Sequence, residues 1–431
     1  MSDSLFFYLF FPQFDRHIPS AIMVVDESLL HGGTQLSNSC MARPTANRIE
    51  GAHKEDDLDK ERNDEESLGS DSKALCLSGG GYRAMLFHLG TLWRLNDASY
   101  LRTLTRISSV SGGSLAAGVL GMAWNDLSFN SEGQCTNFDE KIVKPLMGMA
   151  QHTVDVWAVL GGLLGPGSVN RRVTATYRRL LFGHKTLQDL PSGENKPRFV
   201  FNATNIQSGA LARFSKPYIW DYRVGKVPDP RNELAEVVAA SSAFPPILSP
   251  AVIRFADHAF EPQTGKDLQC PPYTRRMVLS DGGVYDNLGL ETAWKSCGTV
   301  LVSDAGGQFQ PDPRPKRFWL THTIRVLAVI DHQVRSLRKR ELIDRYIQGV
   351  LRGAYWGIGT DIKNYKVPCL PCPYARTQEL AHVATRLKRL PISTSERLVN
   401  WGYAVCDAAL RAHVDTTIPP AQGFPFPERE V

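Results

Sequence analysis

Residues 73–86 read Lys73-Ala74-Leu75-Cys76-Leu77-Ser78-Gly79-Gly80-Gly81-Tyr82-Arg83-Ala84-Met85-Leu86. A short apolar run stops at three consecutive glycines. Met85, Leu86, Leu89, Leu92, Trp93 and Leu95 then recur near one face at helical spacing. The stretch therefore predicts a strand, a tight turn and a helix. The chain repeats the sentence at once. Leu104 to Val110 is a second strand candidate, Ser111-Gly112-Gly113-Ser114 is the turn, and Leu115, Ala116, Val119, Leu120, Met122 and Ala123 continue as a helix of small residues. Strand, turn and helix in succession predict an α/β fold with a mostly parallel central sheet flanked by helices in three layers. Further strands are expected at Phe199–Thr204, Met277–Leu279, Thr299–Ser303 and Arg325–Ile330, and a charged helix around Arg335, Arg338, Lys339 and Arg340. No internal repeat is present.

At 431 residues the chain exceeds the roughly 250–300 at which single cores stop growing. Residues 1–70 predict a disordered, acid-rich tail. His31 to Asn47 is rich in Gly, Ser, Asn and Thr, and Glu55 to Glu66 is almost all charged; such segments bury too little apolar surface to offset chain entropy. The folded domain is expected over 71–415, and 416–431 as a Pro-rich tail that frays. The net charge of +5 is too weak and dispersed to argue for nucleic acid. The apolar run Leu5 to Phe11 stops at Pro12, short of the about 20 residues a membrane span needs. It also lacks the basic flank of a signal peptide. A cytoplasmic protein with peripheral membrane contact is the resulting expectation. Cys369-Leu-Pro-Cys372 is a lone CxxC, expected to be a loop with two thiols rather than a zinc site.

Three glycine-rich turns carry the chemistry. Ser111 sits at the second strand-to-helix turn, in Ser109-Val110-Ser111-Gly112-Gly113. A hydroxyl on such an elbow is held out where a carbonyl can reach it, provided its neighbours two positions away are small. Here Ser109 takes the place of the usual first glycine and Gly113 supplies the second. The plainer alternative is that Ser111 only caps the following helix. Gly79, Gly80 and Gly81 can turn backbone N–H groups inward to form an oxyanion site, with Arg83 either bracing the loop or meeting a phosphate. Gly79 to Ala84 also fits a dinucleotide fingerprint, but that pattern wants an acid about 20 residues on at the next strand end, and Ile107 to Val110 has none. Asp281 emerges from Met277-Val278-Leu279 onto Gly282-Gly283. Within about 3 Å of the serine it would serve as general base, its basicity raised by burial. Asp-Gly also commonly only stabilises a turn.

Together these segments resemble the patatin-like phospholipases, relatives of the patatins and cytosolic phospholipases. The similarity runs from about Lys73 to at least Gly289. It includes Phe201-Asn202-Ala203-Thr204-Asn205 and Ala239-Ala240-Ser241-Ser242-Ala243-Phe244-Pro245-Pro246. The resemblance implies a serine acyl hydrolase acting on phospholipid or other fatty-acyl esters. It implies a Ser111–Asp281 dyad with no catalytic histidine, an acyl-enzyme, and no metal or cofactor. Two alternatives stay open. Ser111, Asp304 and His322 or His332 follow the chain order of an α/β-hydrolase triad. A non-catalytic lipid-binding protein is the other, and the apolar stretch Val154 to Leu164 would suit it as a membrane-facing patch or a buried helix. His88 is expected to be a packed histidine.

Overall fold

Alternation along one strand shows how the layers are built. In the computed structural model, which describes residues 68–154, 168–193 and 196–431, strand β1 (Lys73–Leu77) sends Leu75 and Leu77 into the larger of two apolar cores and Ala74 and Cys76 into the smaller. Period-2 side chains of a strand buried on both faces must do this. The described residues all fall within one compact unit.

The remaining strands are β2 (Arg106–Val110), β3 (Arg198–Asn205), β4 (Ala210–Phe214), β5 (Tyr218–Asp221), β6 (Gly225–Pro228), β7 (Ala251–Arg254), β8 (Arg276–Asp281), β9 (Thr299–Asp304) and β10 (Arg352–Gly357). They form one sheet in the order β10-β9-β1-β2-β3-β4-β5-β6. The pairs from β10 to β3 are parallel, and those from β3 to β6 antiparallel. The expected parallel α/β sheet is present, with an antiparallel extension that the sequence reading does not contain.

Helix α1 (Gly81–Asp97) follows β1 and α2 (Gly112–Ala123) follows β2, as the two turns predict. The later helices used below are α3 (Leu234–Ser241), α4 (Gly283–Asp286), α5 (Trp319–Ile347) and α6 (Ile392–His413). Helix α1 is buried nearly all round. It can be so because α6 lies directly against it: a Cβ on Gly90 would run into the Val399 carbonyl, and one on Gly402 into the Phe87 carbonyl. On the opposite face of the sheet, α5 inserts Leu342 into the smaller core, and the Tyr346 hydroxyl donates to Val300 O at 2.7 Å.

One expectation is corrected. Arg325–Ile330 is not a strand but part of α5. A short apolar run has no periodicity that tells strand from helix, and this one continues without Gly or Pro into the charged helix beyond it. The last residues, expected as a tail, are hydrogen-bonded to the domain. Asn400 Nδ2 donates to Phe426 O and Arg429 O, the Asn400 side chain accepts from the Phe426 N–H, and Ala421 N–H donates to Asp407. Asp407 is itself held in a buried ion pair with Arg94, so this segment completes the cover over α1 and α6. The expectations for 1–67 and for most of Val154–Leu164 lie outside the described residues. Among the described residues no helix is long and apolar enough to cross a membrane.

Candidate active site

The sheet itself brings two of the three turns together. Strand β3 pairs with β2 until Val110, which lies opposite Asn202. There β2 stops and turns into the elbow. The vacated edge is taken by β8, antiparallel, with Asp281 opposite Ala203. Two strand ends thus meet head to head along adjacent residues of β3, and Ser111 and Asp281 leave the sheet at the same place. The third turn arrives beside them because β1 runs parallel to β2, with Leu77 opposite Ser109.

Ser111 has φ 51° and ψ −117°. This conformation is costly for a residue with a Cβ, and such strain gathers at functional sites. Its side chain makes no capping bond to α2, so the helix-cap alternative fails. The elbow is held through hydroxyls. The Ser111 N–H donates to Ser241 Oγ at 3.0 Å, and Ser241 Oγ donates to Asn202 O at 2.7 Å. Ser114 Oγ lies 2.9 Å from Ser241 Oγ and donates to Ser109 Oγ at 3.0 Å. Ser109, in turn, donates to Val200 O at 3.3 Å. The serine that stands in the first-glycine position is therefore part of a buried chain of hydroxyls ending at the nucleophile candidate. Gly113 permits the close passage: a Cβ there would run into the Leu77 carbonyl.

Gly80 and Gly81 take φ of 148° and 62°, open to glycine and strained for other residues. Neither N–H donates to an acceptor among the described residues. Gly79 differs. Its N–H donates to Asn287 O at 3.1 Å, so of the three glycines expected to form an oxyanion site only Gly80 and Gly81 keep N–H groups without an acceptor among the described residues. Arg83 is buried and donates through Nε and Nη2 to Ala305 O (3.1 and 2.9 Å) and through Nη1 to Val383 O. It braces the loop against the end of β9 and is not presented to a phosphate.

Asp281 is 2% exposed. Its Oδ1 accepts from the Gly283 N–H at 2.8 Å, so it does stabilise the Asp281-Gly282-Gly283 turn. Its Oδ2 is buried without a hydrogen-bond partner. Its backbone is fixed by Asp281 N–H to Ala243 O (2.9 Å) and Gly282 N–H to Ser241 O (3.3 Å). Burial pushes its pKa up to about 7; the Gly283 N–H and the nearby Ser111 hydroxyl hold it down in part, and the charge of Asp331 adds to the rise. A carboxylate tuned near neutrality, with one oxygen unused, has the properties of a general base.

Ser111, Asp281 and Gly79–Gly81 line one cavity of about 870 Å³. Its walls include Phe244, Ile247 and Leu248 together with Ile324 and Ala328 of α5. Asp331 and His332 also face it.

The triad alternative does not assemble. Asp304 Oδ2 accepts from Tyr355 Oη at 2.7 Å and Oδ1 from the Gly306 N–H at 2.8 Å. No histidine bonds to it among the described residues. His322 is exposed and off the cavity wall. His332 lines the cavity beside the Phe309 ring, 5.8 Å between centroids. His88 is a satisfied core residue: Nε2 lies 2.9 Å from Ser78 O and Nδ1 2.8 Å from Ser303 Oγ. Burial, only partly opposed by the Ser78 bond, lowers its pKa to about 4. Cys369 is exposed and Cys372 buried, both as free thiols.

Sequence reasoning missed Ser241, Asn287 and Asp331. Ser241 lay within the Ala239–Pro246 segment already singled out, and a serine at the end of an apolar helix was the available signal. Nothing in the local sequence marks Asn287 or Asp331, which reach the site only through the packing of α4 and α5.

Residues 75–294 match the model of the patatin-like phospholipase family. Solved structures similar to the chain include human GIVD cytosolic phospholipase A2, at 11% identity and TM-score 0.44, covering 83% of this chain and 63% of that one. VipD from Legionella pneumophila matches at 15% identity and TM-score 0.29, covering 73% and 67%. The chain thus spans less than two thirds of the length of the human structure. No curated protein matches it.

Proposed function

The chain belongs to the patatin-like phospholipase family, and from that premise we propose that it is a lipid acyl hydrolase working through a Ser111–Asp281 dyad. The observation that carries this is the meeting of β2 and β8 along β3, which sets a strained serine beside a buried, half-satisfied carboxylate at one cavity. In this reading the free Oδ2 of Asp281 takes the Ser111 proton as Oγ attacks the acyl carbonyl. The N–H groups of Gly80 and Gly81 receive the oxyanion, which the positive end of α2 also favours. Collapse expels the alcohol or lyso-lipid, protonated by Asp281, and leaves an ester on Ser111. Water then attacks that ester, giving its proton to Asp281, which returns it to Ser111 Oγ as the fatty acid departs. The apolar walls at Phe244, Ile247, Leu248 and Ile324 suit an acyl chain, since burying each CH₂ is favourable by about 0.8 kcal/mol.

Hydrolysis of p-nitrophenyl esters and of phospholipid vesicles by the wild type and by Ser111→Ala, with folding checked by circular dichroism, tests the proposal. Turnover by the wild type and loss in a folded Ser111→Ala is expected. An inert wild type on both substrates, or an active Ser111→Ala, overturns it.

A further inference from the structure

Helix α5 has two unlike parts. Near its C-terminal end Leu342 is fully buried, and Arg338 pairs with Glu291 at 3.0 Å. From Trp319 to Leu337 it presents apolar side chains to solvent. Trp319, Val326, Ile330, Val334 and Leu337 are 49%, 43%, 54%, 37% and 56% exposed. At about 100° per residue these five positions fall on a single stripe, where a solvent-facing helix is ordinarily polar. Leu327 and Val329, 49% and 42% exposed, flank it on either side. Ile324, Ala328 and Asp331 of the same turns line the cavity, and Ile324 is itself 42% exposed. This part of the helix thus borders the candidate active site and carries an apolar surface with no covering partner among the described residues.

The surroundings indicate what covers it. Arg314, Lys316 and Arg317, all exposed, precede the stripe and exposed Arg340 follows it; from Arg314 to Arg340 the only acid is Asp331, on the cavity side. On the wall of the same cavity, Phe244 and Ile247 are 54% and 49% exposed. An apolar stripe carrying a tryptophan and bracketed by cations is the pattern of a helix that lies in the plane of an anionic membrane surface. Closure of α5 onto the cavity would bury the Ile324 side only and leave the stripe in water, so a lid does not account for it.

We propose that the outward stripe of α5, with the exposed Phe244 and Ile247 of the cavity wall, docks on an anionic phospholipid bilayer and holds the cavity at the lipid surface. The choice of occupant rests on the acyl-hydrolase reading, so the test separates binding from chemistry. Full-length Ser111→Ala protein is floated with vesicles of equal parts phosphatidylcholine and phosphatidylserine, and with phosphatidylcholine alone. The same is done after adding Ile330→Asp and Leu337→Asp. The expected result is binding to the mixed vesicles, weaker binding to the neutral ones, and a fall of about tenfold or more with the paired aspartates. Turnover of a soluble short-chain ester by Ile330→Asp/Leu337→Asp with Ser111 intact reports that the fold and cavity survive. Unchanged flotation of the paired variant overturns the proposal, as does failure of the parent to float. So does a dimer in sedimentation that the aspartates break while no vesicle binds, which would make a second copy the occupant. Stripe-dependent flotation of a protein inert on every ester would leave the docking intact and sink the hydrolase reading alone.

Discussion

Two strand ends in this molecule look alike in sequence and differ in physics. β8 ends in Ser280-Asp281-Gly282-Gly283, and β9 in Ser303-Asp304-Ala305-Gly306-Gly307. Both aspartates are buried, at 2% and 7% exposure, and each accepts from a backbone N–H two residues on. The second oxygen separates them. Asp304 receives the Tyr355 hydroxyl and lies in the field of Arg335 and Lys339; burial would raise its pKa, but the Arg335 charge, the Tyr355 and Gly306 bonds and the Lys339 charge more than offset it, and the value falls below the usual. Asp281 has no cation beside it and only the partial hold of the nearby Ser111 hydroxyl, and burial takes it up to about 7. The motif supplies a carboxylate at a strand end. What faces its second oxygen decides whether its pKa is held down or rises towards neutrality.

The sharpest test of that contrast is stability, where the two acids should respond with opposite sign. Asp304 is depressed, so it contributes stability that is present above its unfolded pKa and lost as pH falls through the folded one. Asp304→Asn, which removes one partner of a buried charged cluster, should cost about 3 kcal/mol at pH 8, read as a lower denaturant midpoint. Asp281 is raised, so the folded state holds a proton that the unfolded chain has released, and stability from this group declines as pH rises from about 4 to about 7. Asp281→Asn should therefore stabilise the protein at pH 8, by up to about 4 kcal/mol, and the gain should shrink towards pH 4. Two losses of equal size would break the comparison.

A smaller effect is expected at the partner. Tyr355→Phe removes one hydrogen bond to the ionised Asp304 and should cost about 2 kcal/mol in chemical denaturation. The smallest concerns Asp331. For a dyad, kcat/KM on a soluble ester should climb with pH and level off above Asp281's value of about 7. Asp331→Asn takes away a charge that helps raise Asp281, so the rise should move to lower pH by less than about one unit. A shift to higher pH would contradict the assigned field.

Much of the site was legible because its turns are local. Glycine runs after apolar strands placed the loop, the elbow and Asp281, and the family match over residues 75–294 covers all three. What was not legible depends on long-range pairing. The direction of β8 and its place along β3 arise from which strand takes the edge left by β2, and no local pattern states that. Gly79 resembles Gly80 and Gly81 in sequence, yet its N–H is spent on Asn287, 208 residues later. Ser109 reads as a weakened motif and proves to be a hydrogen-bonded link. The strands β4 to β6 and β10 are short and interleave polar residues such as Arg213 and Lys226, so neither periodicity stood out. The C-terminal segment reads as a tail because of its prolines, while its fixing points, Asn400 and Asp407, lie on a helix elsewhere.

The central claim is that Asp281, with no histidine, activates Ser111. It is tested most directly by the rate at which a fluorophosphonate forms a covalent adduct on Ser111, followed by intact mass in wild type, Asp281→Asn and His332→Ala. The account predicts that Asp281→Asn slows phosphonylation by about a thousandfold and that His332→Ala stays within about threefold of wild type. Normal labelling in Asp281→Asn, with loss in a folded His332→Ala, would contradict it.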